Sequence, residues 1–353
     1  MNLQKNWGMM LDLDPEPSLK MLPLLLPMNF AGELIKIGKM LQFVHYSQRS
    51  GDMKVLVVIN PMASNGKALS DYKEKIQSLL KKELGDYDEK FTKAPGDAIE
   101  IARQARGYGK IVSVGGDGTL NEVVNGVMLS GADIPVGMIG VGTGNDFSKT
   151  FGIPNNYEVM VKKIAGDNVF LSDVLEVEYR NFEGKQQKRY AINVIGAGFD
   201  ADVTARMNKS KIKVRGKLTY LMSFLIEFIK AKSYSLSLNI DGKERPINCF
   251  LVAFGNGKFF GGGMKACPSA VPDDGKLDVM GIEKMSKLRL LYHFPKIYKG
   301  QHISVPTVFE TPAKYAEIHS ADGRKVMFEI DGEIIGTLPL KISVKPKALR
   351  VLI

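Results

Sequence analysis

Cysteine is nearly absent. Cys249 and Cys267 are the only two in 353 residues, too few for a disulfide framework. Both stand in or beside apolar runs, which predicts buried free thiols and fits a reducing cytoplasm. Histidine is scarce too: His45, His293, His302 and His319 are scattered. None has a metal-ligand neighbour at helical spacing, and no C-x-x-C or Cys/His cluster occurs, which argues against zinc. No segment reads as a bilayer span. The longest apolar stretch near the start, 21–30, is interrupted by Pro23 and Pro27 and falls short of the roughly 20 residues required. It lacks a small-residue cleavage site and does not read as a secretory signal. There is no G-x-x-x-x-G-K-[ST] phosphate loop, no internal repeat and no low-complexity tract.

Positive charge is plentiful. The net charge is +10, with basic residues concentrated around 209–217 and 341–350. Such a surface attracts anions, whether nucleotides, nucleic acid or an anionic membrane; solubility is the plainer account. Nucleic acid is disfavoured, because basic and aromatic residues do not interleave. The length suits one large or two ordinary domains.

Residues 1–52 read as an appendage, either an over-extended start or a peripheral anchor. The acidic, proline-rich 12–17 precedes a short amphipathic pattern over 34–44. From Met53 the sequence opens a strong buried strand over 55–59. Strand and helix signals then alternate: helix over 69–84, strand over 87–92, helix over 96–106, strands over 111–114 and 136–139. This spacing predicts a parallel sheet with helices on its faces over 53–169. From about residue 170 short alternating segments recur, at 174–179, 189–194, 235–240, 249–254, 277–281, 314–319, 325–330 and 341–344. Asp-Gly turns separate many of them. The expectation for 170–353 is an antiparallel β-sandwich interrupted by one helix over 218–230, with the last residues able to return to the first domain.

Three loops follow predicted strands. Asn60-Pro61-Met62-Ala63-Ser64-Asn65-Gly66-Lys67 uses a proline and small residues, which admit backbone amides to a ligand; an ordinary βα loop reads the same way. Gly115-Gly116-Asp117-Gly118-Thr119-Leu120-Asn121 places a carboxylate between glycines at a helix start. That arrangement suits a metal-bound phosphate better than a phosphate alone. A tight turn with Asp117 as helix cap is the simpler reading. Gly140-Val141-Gly142-Thr143-Gly144-Asn145-Asp146-Phe147 repeats the theme, with Asp146 an acid of the site or only an N-cap. At the carboxyl ends of strands in one open sheet, such loops would converge along one edge. Farther on, Asp331-Gly332-Glu333 is either a hairpin turn or part of a site. Pro272–Asp278 is either an oxygen-ligand metal site or a polar turn.

In this order the motifs resemble the soluble bacterial diacylglycerol/lipid kinase family, relatives of sphingosine and ceramide kinases. The resemblance runs from about Met53 to the end and is most specific over 115–122. It implies an ATP site between two domains, lined by Asn60, Pro61, Met62, Ala63, Ser64, Thr92, Gly115, Gly116, Asp117, Gly118, Thr119, Leu120 and Asn121, with Thr143 and Gly144 nearby. Gly144 stands where some relatives carry a second threonine. Asp117, Asp146 and Asp173 match acids that organise Mg2+ or its water. Glu333 matches the family's general base, so Glu333, Asp117 and Asp146 form the implied catalytic set. A structural magnesium site is implied at Asp274 and the main-chain carbonyl of Lys276, with a further ligand near Val271. The implied activity is transfer of the γ-phosphate of ATP to a lipid hydroxyl, diacylglycerol foremost. It would occur at the anionic inner face of the membrane in a peripheral, cytoplasmic enzyme, with a homodimer among the oligomeric alternatives. The basic 209–217 followed by an apolar helical face (Leu218, Leu221, Phe224, Leu225, Phe228) suits surface docking or core packing equally. Competing readings are an NAD kinase, which also uses a Gly-Gly-Asp-Gly loop, and a non-catalytic nucleotide-binding regulatory protein.

Overall fold

The structure, a computed structural model, describes residues 54–142, 144–209, 228 and 231–353. The appendage 1–52, Thr143, and the basic and apolar segment 210–227 lie outside the described residues.

The N-terminal part is α/β. Strands β1 (Val55–Ile59), β2 (Tyr87–Phe91), β3 (Lys110–Gly115) and β4 (Val136–Gly140) pair in parallel in the order β4-β3-β1-β2. Every residue of β1 and β4 is buried, as expected of parallel strands covered on both faces. The helix expected over 69–84 is three pieces: α1 (Lys67–Asp71), a π-helical turn (Tyr72–Ile76) and α2 (Gln77–Leu84). Next come α3 (Asp97–Arg103), α4 (Asp117–Ser130), α5 (Asp146–Thr150) and α6 (Tyr157–Ala165). Along α4, Leu120, Val123, Val124 and Val127 are buried at the period of one helical face, and Gly131, at φ 64°, closes the helix in the left-handed conformation. Gly126 lets α4 approach α3 closely: a Cβ there would lie 2.3 Å from the carbonyl oxygen of Ile99.

The C-terminal part is mainly antiparallel. Its strands are β5 (Val169–Arg180), β6 (Gln186–Ala191), β7 (Val194–Gly198), β8 (Tyr234–Ile240), β9 (Lys243–Gly255), β10 (Leu277–Glu283), β11 (Val308–Ala313), β12 (Tyr315–Ser320), β13 (Met327–Ile330) and β14 (Glu333–Leu352). Two helices unmarked in the sequence pattern join them: α7 (Phe199–Lys209) and α8 (Lys287–His293). The strand expected over 189–194 is split between β6 and β7. The break has a chemical cause: the backbone N–H groups of Ile192 and Asn193 turn to Asp331.

The last residues return to the first part, as expected. The hydrogen-bond ladder is continuous through both parts, because β14 is far longer than the predicted 341–344 and changes partners along its length. It pairs with β13, β12 and β5, shifts register between Thr337 and Leu340 and between Lys345 and Leu349, and reaches β4 at Val351 opposite Val136. Cys249 and Cys267 are free and buried, as expected.

Candidate active site

Parallel pairing brings the carboxyl ends of β1, β3 and β4 to one edge, and side chains lace their three loops together. Asn60 Nδ2 donates to Thr119 Oγ1 at 3.0 Å, tying the first loop to the second. Ser64 Oγ donates to the Val141 carbonyl at 2.6 Å, tying the first to the third. The backbone N–H groups of Asp146 and Phe147 donate to Asp117 Oδ2 and Oδ1 at 3.1 and 3.0 Å, tying the third to the second. Asp117 is therefore a helix cap, but of α5 rather than of its own helix. The same carboxylate oxygens attract the positive end of α5. Asn60 also accepts from the Met62 N–H at 3.0 Å, which sets the turn after β1. Ser64, Asn65 and Gly66 follow with φ of 53°, 58° and 86°, three left-handed residues in succession that turn the chain sharply.

Open backbone adjoins this lacing. Nothing lies within 4 Å of where a Gly116 side chain would begin, and beside Gly118 only Glu333 Oε1 does, at 3.6 Å. The first N–H groups of α4 have no intrahelical partners, so the loop can take phosphate oxygens. Gly144 packs closely on the same carboxylate: a Cβ there would sit 3.3 Å from Asp117 Oδ2. Thr92, buried at the end of β2, donates its N–H to the Ile59 carbonyl at 2.9 Å, one strand over from the first loop.

Asp331-Gly332-Glu333 is both a hairpin turn and part of this site. Asp331, at φ 48°, and Gly332, at φ 89°, turn β13 into β14. Asp331 accepts from the N–H groups of Ile192, Asn193 and Val194 at 3.0, 3.0 and 3.1 Å, and from Asn121 Nδ2 at 2.7 Å. Burial nevertheless pushes its carboxyl up to about 6. Arg189, unmarked in the sequence, donates to Asn121 Oδ1 through Nε and Nη2 at 3.2 and 2.9 Å, and to Glu333 Oε2 through Nη2 at 2.5 Å. The guanidinium fork thus fixes Glu333 against the glycine loop. Glu122, inside the same motif, is structural: it accepts from the N–H groups of Gly96 and Ala98 at 2.9 and 3.2 Å, capping α3.

Beyond Asp117 and Gly144 lies a cavity of about 210 Å³, lined also by Asp146, Asp200, Glu329 and Asp331. Burial, first among the causes, raises the carboxyl pKa values of Asp117, Asp200 and Glu329; the Phe147 N–H opposes the rise at Asp117. Asp146 is held by Lys149 Nζ at 2.8 Å and the Gly262 N–H at 2.7 Å. Neither oxygen of Asp200 has a well-formed hydrogen-bond partner among the described residues. Asp200 and Phe260 also line an adjoining apolar pocket of about 50 Å³, with Phe199, Phe250, Leu290 and Phe294. Asp200 and Glu329 escaped the sequence reading: Asp200 stands on the unmarked helix α7, and Glu329 in the alternating segment 325–330 has nothing local to set it apart.

The residues implied at the structural magnesium site are drawn together by backbone hydrogen bonds. Asp173 is fully buried, and its oxygens accept from the N–H groups of Gly275 and Lys347, both at 2.6 Å. Its own N–H donates to the Pro272 carbonyl at 2.6 Å. Asp274 Oδ1 accepts from the Lys276 N–H at 2.9 Å, and Val271 is exposed. The 272–275 turn is thus drawn around Asp173 by hydrogen bonds. Among the described residues no group of three Asp, Glu, His or Cys side chains has the spacing to hold a metal ion.

Residues 54–177 match the model of the diacylglycerol kinase catalytic domain, and 193–353 match that of the YegS C-terminal NAD kinase beta sandwich-like domain. The chain is 30% identical over 302 residues to a diacylglycerol kinase of Mycobacterium tuberculosis, covering 85% of this chain and 94% of that protein. This chain belongs to the bacterial diacylglycerol kinase family of lipid kinases. The "putative lipid kinase YtlR" of Bacillus subtilis is 29% identical over 308 residues, covering 83% of this chain and 97% of that one. The crystal structure of a "putative diacylglycerol kinase" from Bacillus anthracis superposes with a TM-score of 0.71 at 26% identity, covering 85% and 95% of the two chains. Family membership implies a nucleotide substrate and favours the lipid-kinase reading over the NAD-kinase one. Among the described residues no helix is long and apolar enough to cross a membrane.

Proposed function

We propose that this lipid kinase uses ATP to phosphorylate a lipid hydroxyl, diacylglycerol foremost, giving phosphatidic acid. One juxtaposition carries the reading. The laced glycine loops, with the α4 N-terminus among them, stand beside a carboxylate-lined cavity that shares Asp200 and Phe260 with an apolar pocket. An amphipathic acceptor suits that pair of cavities better than a dinucleotide does.

In this proposal the amides of Gly116–Thr119 and the hydroxyl of Thr119 hold the phosphates of ATP, with Asn60–Ser64, Thr92, Leu120, Asn121 and Gly144 shaping the nucleotide site. Phosphoryl transfer is mostly positioning and charge stabilisation. The lipid hydroxyl oxygen forms a bond to the γ-phosphorus as the bond to the β–γ bridging oxygen breaks, and ADP leaves. Glu333 accepts the hydroxyl proton through Oε1, the oxygen that faces Gly118, while Arg189 holds Oε2. Asp117 and Asp146 orient the third loop. Mg2+, when bound with the nucleotide, would neutralise phosphate charge, and Asp117 and Asp146 are the residues that would hold it or its water. The work would take place at the inner face of the membrane, without nucleic acid.

The test supplies γ-labelled ATP, magnesium and detergent-dispersed lipids, namely diacylglycerol, monoacylglycerol, phosphatidylglycerol and a sphingoid base, with NAD in a parallel reaction. The expected product is labelled phosphatidic acid by mass spectrometry. Labelled NADP would establish the dinucleotide reading, and ATP binding with no labelled product would establish a regulatory protein.

A further inference from the structure

From Lys284 to Phe309 the sequence contains no aspartate or glutamate, but it contains Lys284, Lys287, Arg289, Lys296 and Lys299. The stretch comprises α8 and the 3₁₀ turns Phe294–Lys299 and Gln301–Ser304. Its apolar residues divide between two faces. Leu290, Phe294 and Ile297 point inward and line the apolar pocket beside Asp200. Leu288 and Tyr292, four residues apart and so on one helical face, are 82% and 77% exposed. Leu291 and Tyr298 are also exposed. Large apolar side chains left in water cost free energy unless something covers them. The same stretch exposes the cations Lys284, Arg289 and Lys299 and contains no acid of its own.

We propose that the outer face of α8 and the turn after it is the surface by which this enzyme sits on an anionic phospholipid bilayer. Leu288, Leu291, Tyr292 and Tyr298 enter the headgroup boundary, and the lysines and arginine face lipid phosphates. Tyrosine suits that depth, with an apolar ring and a polar tip. The charge identifies the occupant. A second copy of this chain would bring the same basic stretch against itself, whereas a bilayer rich in phosphatidylglycerol supplies the opposite sign. The inference rests on the lipid-kinase reading and adds to it a position: the element touching the membrane is also a wall of the apolar pocket, so an acceptor would pass from bilayer to pocket along a single helix.

The experiment uses the full chain and co-sedimentation with vesicles of phosphatidylglycerol and phosphatidylcholine, or of phosphatidylcholine alone. Two variants are compared with wild type: Leu288→Ser with Tyr292→Ser, and Lys284→Gln with Arg289→Gln and Lys299→Gln. Wild type is expected to bind the anionic vesicles and lose binding as salt rises. The charge variant should lose roughly 100-fold in vesicle affinity, at about 1 kcal/mol per cation removed. The apolar variant should lose at least about tenfold. Both should keep wild-type circular dichroism and wild-type turnover of short-chain diacylglycerol in detergent micelles. Wild-type vesicle binding by both variants would overturn the proposal, as would loss of self-association without loss of vesicle binding. If micellar lipid is phosphorylated but vesicle binding is indifferent to these residues, only the docking surface fails. If the variants lose vesicle binding but no lipid is phosphorylated, the docking surface stands and the acceptor assignment fails.

Discussion

Asp117 accepts the backbone N–H of Phe147 at 3.0 Å through one oxygen and that of Asp146 at 3.1 Å through the other. The acid of the Gly-Gly-Asp-Gly loop thereby fixes the start of a helix from a different loop. On the proposed mechanism, catalytic placement and local stability are joined in one side chain. Asp117→Ala is expected to lower kcat by about 100-fold or more and to cost roughly 0.5–2 kcal/mol of stability as a lost cap. Asp117→Asn keeps an acceptor and should recover part of the stability but little of the activity. The two quantities are read from steady-state kinetics and urea denaturation. Equal recovery of both would reduce Asp117 to a cap.

Glu333 and Arg189 should fail differently. Glu333→Gln removes the proton acceptor and is expected to lower kcat by orders of magnitude with little change in KM for ATP; near-wild-type kcat would remove Glu333 from that role. Arg189→Lys keeps charge but not the fork that reaches Asn121 and Glu333 together. A displacement of about 1 Å at such a site can cost on the order of 100-fold, so Arg189→Lys should lose roughly 10- to 100-fold in kcat. A lysine enzyme as fast as wild type would show that the charge alone suffices.

Gly126 lies remote from the chemistry yet is closely confined. A methyl group there meets the Ile99 carbonyl at 2.3 Å and the Ala102 Cβ at 2.6 Å. Despite the better helix propensity of alanine, Gly126→Ala should destabilise the protein by roughly 1–3 kcal/mol through overpacking. A thermal midpoint at or above that of wild type would show that α3 can shift without cost.

Asp200 supplies a pH dependence whose sign follows from its burial. An unfolded aspartate ionises near pH 4; in the fold, burial raises the pKa of Asp200. Above about pH 4 the native state therefore binds more protons than the unfolded chain, and this group's contribution to stability falls as pH rises. Asp200→Asn removes the buried charge without removing a well-formed hydrogen bond. Its thermal midpoint should exceed that of wild type at about pH 8 and match it near pH 4.5. An equal offset at both pH values would point to packing rather than ionisation.

Much of the site was legible because its signals are local. A β-branched run over 55–59, glycines at 115 and 116, and apolar residues at 120, 123, 124 and 127 each report their own geometry within a few residues. The helix at 199–209 was not legible: it is polar enough that no 3.6-residue apolar stripe marks it, and tertiary packing rather than pattern settles it. The length of β14 was hidden for a related reason. A strand that changes partners along its course has no single alternation of buried and exposed residues, and its burial follows each neighbour in turn.

By itself the sequence determined the three strand-end loops, the aspartates of two of them, the order of the motifs and, through them, the family. It did so because glycine conformational freedom, strand burial and helix periodicity are short-range properties of the chain. Tertiary structure alone decided which distant residues share a cavity or a hydrogen bond. Arg189 meets Glu333 across 144 positions and Asn121 meets Asp331 across 210, distances over which no local pattern operates. Only the fold withdraws Asp200 and Glu329 from water, and only the fold turns Leu290 inward while leaving Leu288 and Tyr292 outside.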